Sequence, residues 1–455
     1  MDRSNDAPVL GLTLGEFLMR PHIGTTALAA MRTIRWITGI STILIGAAGC
    51  KGILDVTNPG SLSEEQLTNP ALEQFLVNGT IGEFQYAYGY YSLWSAVMGD
   101  EAFTDHTNVG VRELSLHNFN DLNDTNQGVF ENLSRARASA DDALDRLKVI
   151  LGAGAGTSLN VARVLAYGGY AYTLLAEGFC DAPIAMSAGL PPSELFKRAI
   201  SHFDSAVTIA TASAVGATAA NAAAATDIIN MARVGAARAA LKSGDLVKAR
   251  TYAVLVPDAY EKLAYYSANS VRENNIVNSG VRATGAWYSM TPAFQGLADP
   301  RAPQPTASRA GLNSNPIWVP FRPSQYSGWV ATGTPQTIDI TSNIRFASGL
   351  EARYIQVEAD GPTAAMLTFV NARRAVGGKP AVNLTGTALV TEFRLQRAID
   401  FYLTGQRLGD LRRYAAGGTN LFPTGKYPVF PDPYGSATCF IVPLSEKTGN
   451  PNYKG

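Results

Sequence analysis

The chain has 455 residues, 46% of them hydrophobic, enough to bury a large core in one big domain or in two or three ordinary ones. Lys and Arg together number 37 and so do Asp and Glu, so no basic surplus marks a nucleic-acid surface. Three cysteines (Cys50, Cys180, Cys439) lack the short spacing of a zinc or redox pair, and four histidines (His22, His106, His117, His202) show no HExxH. No metal and no cofactor is expected.

The first element in chain order is a start-like stretch that begins at position 31, "MRTIRWITGISTILIGAAGC". Arg32 and Arg35 form a basic n-region, Trp36 to Ile45 a mostly apolar h-region, and Gly46 to Gly49 are small, as signal peptidase requires. A spanning helix needs about 20 apolar residues, and this run is much shorter. The cysteine that follows resembles the lipobox of bacterial lipoproteins, although Ala47 stands where Leu is usual. On this reading residues 1–30 are a discarded leader or an early start codon, 31–49 a lipoprotein signal, and the mature chain begins at a lipidated Cys50. The alternative is a buried segment of the fold.

Asn58-Pro59-Gly60 is turn chemistry, Ser61 or Ser63 can cap a helix, and Asn69-Pro70 can start another. Val129, Leu133, Ala136, Ala140, Ala143, Leu144 and Leu147 share one face at helical spacing and predict a helix over 128–148. Helices follow over 161–179 and 193–210, the latter with Ser193 as cap, then a low-complexity separator over 211–226. Residues 227–256 predict helix, Ser243-Gly244 turn, Asp245 cap and second helix, with small residues at the contact, as in tetratricopeptide repeats. Residues 349–375 repeat that plan around Gly361-Pro362. Between them, 257–348 is rich in Pro, Gly, Asn and Ser and predicts irregular structure. A last helix is expected over 391–415, and loop and short extended pieces to the end.

Four segments in order resemble the SusD/RagB family: "GCKGILDVTNP" at the lipidated start, "EARYIQVEAD" leading to "FVNARRA", "EFRLQRAIDFYLTGQRLGDLRRY", and "IVPLSEKTGNPNY". The third matches the family's Gly-x-Arg-x-x-Asp-Leu-x-Arg through Gly405, Arg407, Asp410, Leu411 and Arg413, and the last matches through Pro443, Glu446, Asn450 and Pro451. Gln406 departs from the usual His or Arg, and Leu408 from the usual aromatic. The resemblance covers nearly all of 50–455 and implies a single, mainly α-helical SusD-like domain with tetratricopeptide-like helix pairs and irregular, loop-rich inserted segments. It also implies a non-enzymatic outer-membrane lipoprotein that faces the exterior. Such a protein captures oligosaccharide, or peptide in some systems, and passes it to a SusC-like TonB-dependent barrel.

Sugar rings stack their C–H faces on aromatic rings, which makes Tyr90, Tyr91 and Trp94, Trp287 and Tyr288, Trp318 and Trp329 the candidate ligand contacts, each against the alternative of a core position. "GAGAG" at 152–156 follows a helix and precedes no Lys, so it is a connector rather than a phosphate loop. "NFNDLNDTNQG" at 118–128 has Asn132 where an EF-hand needs Glu, so it caps the next helix. Arg407, Asp410, Arg412 and Arg413 are expected to pair at helical spacing rather than to form an active constellation. Cys180 and Cys439 are either a disulfide or two buried thiols. Two other functions stay open: a protein-binding tetratricopeptide-like scaffold, and a glycan hydrolase built on Asp100, Glu101 and Asp105.

Overall fold

Asn69 opens the first described element of the computed structural model, its side chain accepting the Ala71 N–H over a single 3-10 turn at Pro70–Leu72. The structure describes residues 69–454; the signal-like stretch, Cys50 and the "GILDVTNP" run lie outside them. Helix α1 (Glu73–Met98) follows, then β1 (Ala102–Thr104), α2 (Val109–Ser115) and α3 (Asp124–Leu151). The helix predicted over 128–148 thus starts four residues earlier, because Asn123 caps it by accepting the Asn126 N–H at 2.9 Å. The glycine run forms the 3-10 connector Gly152–Thr157, and Ser158 caps α4 (Leu159–Gly178).

After the short β2 (Ala182–Pro183) and β3 (Gly189–Leu190) come α5 (Pro192–Ser213) and α6 (Ala219–Ser243). Pro191, not Ser193, occupies the N-cap position of α5. The expected separator over 211–226 is largely helical: α5 runs to 213 and α6 starts at 219, with Thr218 as cap. Alanine is the strongest helix former, so low complexity here does not mean disorder. Gly244 takes the left-handed conformation (φ 90) that ends α6, and Asp245 caps α7 (Leu246–Ala253).

The irregular stretch carries only short elements: β4 (Glu261–Ala264), α8 (Asn278–Val281), β5 (Tyr288–Met290), β6 (Arg309–Ala310), β7 (Pro316–Ile317) and β8 (Ile344–Ser348). β4 and β8 pair antiparallel and close its base, Glu261 opposite Ser348. β5 pairs with β1, Ala102 opposite Met290, which pins the insert beside the end of α1. The chain then forms α9 (Gly349–Ala359), α10 (Ala364–Val376), α11 (Gly386–Asp400) and α12 (Arg407–Ala416), with α13 (Leu444–Gly449) near the end. The single helix expected over 391–415 is therefore two. Leu403 and Gly405 both have positive φ (59 and 80), and the turn they make breaks the helix at 401–406.

Successive helices from α3 to α7 pack side by side, and small residues set their spacing. Phe203 on α5 fills a slot between two glycines: a Cβ on Gly169 of α4 would lie 2.7 Å from its ring, and one on Gly235 of α6 2.3 Å. The largest hydrophobic cluster runs through these contacts and on to Trp94, Trp287 and Phe440. Cys180 and Cys439 form a disulfide (Cα–Cα 5.4 Å) that clips the C-terminal segment to the end of α4. Reciprocal main-chain bonds flank it, from Cys180 N–H to Phe440 O and from Phe440 N–H to Gly178 O, both 2.9 Å.

Charges are buried between the helices in pairs. Arg238 of α6 grips Glu351 of α9 with two bonds, 2.6 and 2.7 Å. Asp410 of α12 takes Lys242 of α6 at 2.7 Å and Arg397 of α11 at 2.8 Å. Arg397 and Lys242 hold its carboxyl far below the usual range against the burial that opposes them. Arg412 donates to the Glu177 carbonyl (2.7 Å), Arg407 to that of Gly99 (2.8 Å), and Arg413 pairs with Glu358 (2.7 Å). The pairing expected at helical spacing is limited to Arg413 and Asp410 at 3.5 Å; the closer partners lie on other elements.

Candidate ligand-binding site

Tyr86, Tyr90 and Trp94 are spaced four apart on α1, so their rings form one row. Tyr86 and Tyr90 lie 6.4 Å apart, and Tyr90 meets Trp94 edge-on at 6.3 Å. The β1–β5 pairing brings Trp287 onto Trp94 as a stack, 5.7 Å between centroids and 16° between planes. His106 meets Trp287 edge-on at 5.3 Å and ends the row, while the Arg272 guanidinium lies 4.4 Å over Tyr86 at the other end.

The seven candidate aromatics divide by burial. Tyr91 and Tyr288 are fully enclosed, the first against Phe440 and the second donating to the Leu93 carbonyl at 3.2 Å. Trp94 (5% exposed) and Trp287 (7%) spend their faces on each other. Those four are core positions, because a ring without an open face gives a sugar nothing to stack on. Tyr90, Trp318 and Trp329 are half-buried and keep a free part. Trp329 directs its indole N–H to the Pro300 carbonyl at 2.7 Å. Trp318 follows β7 and lies beside β5, its carbonyl accepting the Met290 N–H at 2.8 Å.

Beyond Trp318 the insert encloses a cavity of 340 Å³ that sequence reasoning missed. Val281, Pro305, Val319, Pro320, Phe321 and Ile338 form much of its wall. Arg282 stands on its rim and is exposed, and its charge also acts on His106 at the end of the aromatic row. Burial and Arg282 together lower the pKa of His106. Arg309 lines the same cavity and donates to the carbonyls of Arg282 and Ala283, both at 2.8 Å. No periodicity in the insert links positions 282, 309, 319 and 338; only the β4–β8 closure and the loop crossings do.

The three acids proposed for hydrolysis do not share a cleft. Glu101 and Asp105 are fully buried, and none of the three lines the cavity. Asp105 holds a loop, accepting the Asn313 N–H at 3.0 Å and the Asn315 side chain at 2.6 Å. Burial pushes Asp100 up to about 6 and Glu101 up to about 8. Among the described residues no group of His, Cys, Asp and Glu is arranged to hold a metal ion.

No family model and no curated protein matches the chain in sequence. Solved structures do match it. A SusD superfamily protein from Bacteroides vulgatus is 13% identical, with 85% of this chain and 99% of that chain covered at a TM-score of 0.62. Surface glycan-binding protein A from Bacteroides uniformis is 12% identical, with 84% and 98% covered at 0.57. A laminarin-binding SusD-like protein is 14% identical, with 84% and 98% covered at 0.51. The chain has the SusD-like fold, mainly helical as the motif resemblance implied.

Proposed function

We propose that this chain is a surface-exposed nutrient-binding lipoprotein that captures an oligosaccharide without turning it over and passes it to a SusC-like TonB-dependent transporter in the outer membrane. The observation that carries this reading is the row of rings on α1, which leads from half-open Tyr86 and Tyr90 to the Trp94–Trp287 stack, with Arg272 and His106 at its ends. Half-open rings beside hydrogen-bonding groups suit a sugar, which offers an apolar C–H face and polar hydroxyls at once. Support comes also from the shared fold, since two of the similar structures are described as binding glycan or laminarin. Membrane attachment rests on Cys50 and the 31–49 signal.

A glycan array followed by calorimetry tests the reading. Binding to at least one oligosaccharide is expected, and Tyr90→Ala or Trp318→Ala should each weaken it about five- to ten-fold, the loss of one stacked ring. Binding to no oligosaccharide, with a peptide or protein bound instead, would replace glycan capture by the peptide-uptake or scaffold reading. Release of a reducing end from any oligosaccharide would refute the non-enzymatic role.

A further inference from the structure

We propose that the cavity in the insert is a separate site for a small carboxylate with an apolar body, whose carboxylate binds Arg282. This inference stands apart from glycan capture and does not depend on it. The volume, 340 Å³, lies in the range of about 300–1,000 Å³ typical of small-molecule sites. Its walls oppose a sugar. Each hydroxyl buried there without a partner costs about 1–3 kcal/mol, and Val281, Val319, Pro320, Phe321 and Ile338 offer no side-chain partner. Asn278, the one carboxamide on the wall, already donates to the Ile338 carbonyl at 2.9 Å.

The charges on the rim do not balance. Asp339 is neutralised by Arg322 at 2.6 Å and is further tied to Thr341 at 2.8 Å. Arg309 faces main-chain carbonyls rather than a carboxylate. Arg282 is exposed, and among the described residues no carboxylate pairs with it. Two guanidiniums therefore lie uncompensated at the mouth of an apolar chamber. Guanidinium binds carboxylate through paired, charge-assisted bonds, and the chamber behind takes a phenyl ring or a short branched chain.

The test uses 3-phenylpropionate and its uncharged twin, 3-phenylpropanamide, titrated by calorimetry into the folded protein. The acid should bind about ten-fold more tightly than the amide, the share of one charge-assisted bond. Arg282→Gln should bring the acid down to the amide, and Ala307→Trp, which fills the exposed rim, should abolish binding of both. Both positions are exposed, so an unchanged melting temperature checks the fold. Equal binding of acid and amide, binding that survives Ala307→Trp, or no binding up to about 10 mM overturns the proposal. Glycan binding measured on Ala307→Trp is a separate readout and should be unchanged.

Discussion

Glu101→Gln should make the protein progressively more stable than the wild type as pH rises. Glu101 lies just past the end of α1 and is fully buried. One carboxylate oxygen accepts the Leu403 N–H at 3.2 Å, and the other has no hydrogen-bond partner. Burial pushes the group up from 4.5 to about 8; Arg407 and the Leu403 N–H pull the other way, and Asp410 and Asp100 add to the rise. The sign follows from proton counting. Between pH 4.5 and about 8 the folded protein holds a proton here that the unfolded chain has lost, so stability falls as pH rises through that window. At about 1.4 kcal/mol per pH unit, the full window amounts to about 5 kcal/mol at pH 8 and above, and about 3 kcal/mol at pH 7. Glutamine keeps the acceptor for Leu403 and cannot ionise. Its amide adds a buried donor, a cost that does not vary with pH. The assay is urea unfolding of both proteins at pH 5, 7 and 8.5 at fixed ionic strength. Asp100, raised to about 6, titrates in both proteins and largely cancels in the difference. A stability difference that stays constant within about 1 kcal/mol from pH 5 to pH 8.5 would refute the reasoning.

Gly235→Ala should destabilise even though alanine is the better helix former by about 1 kcal/mol, because its Cβ would sit 2.3 Å from the Phe203 ring and overpacking costs about 1–3 kcal/mol. Gly79→Ala on α1 meets nothing within 4 Å and should raise the melting temperature slightly, which separates packing from propensity in one pair of thermal melts. Replacing both Cys180 and Cys439 by serine should remove roughly 2–5 kcal/mol, since the bridge closes a loop of 259 residues. Dithiothreitol should lower the urea midpoint of the wild type and leave that of the variant unchanged.

The helical frame was legible because its signals are local. The apolar face of 128–148, the Gly244 turn and the Asp245 cap each depend on residues within a few positions of one another. Where the sequence misled, a non-local or competing term decided. Alanine-rich 211–226 looked like a linker, but intrinsic propensity favours helix. The run 391–415 looked like one helix because its charges keep the period through a break made by backbone conformation at Leu403 and Gly405. The site was the least legible part. Type and spacing marked the aromatic residues but not which faces stay open. Trp94 and Trp287 are closed by a stack that exists only once β1 and β5 pair. The cavity joins 281 to 338 across several loops, and no short-range pattern carries that information.

The buried charges around α12 show how a charged motif can fix the position of helices. Asp410 has two cations within 2.8 Å, and neither is free to do chemistry, since Lys242 also donates to the Gln406 carbonyl at 3.3 Å and Arg397 to the Gln406 side chain at 3.1 Å. Removing one member of such a set strands the others in the interior at about 3–5 kcal/mol, whereas the intact set adds little over a well-packed apolar core. What it supplies is register. α6, α11 and α12 can meet in only one arrangement, and the turn at 401–406 is fixed between them. From that turn Leu403 reaches Glu101, and from α12 Arg407 reaches Gly99, both at the end of α1. The same helix carries Tyr86 and Tyr90. Leu403 and Arg407 thus set the position of the ring-bearing helix from its far end.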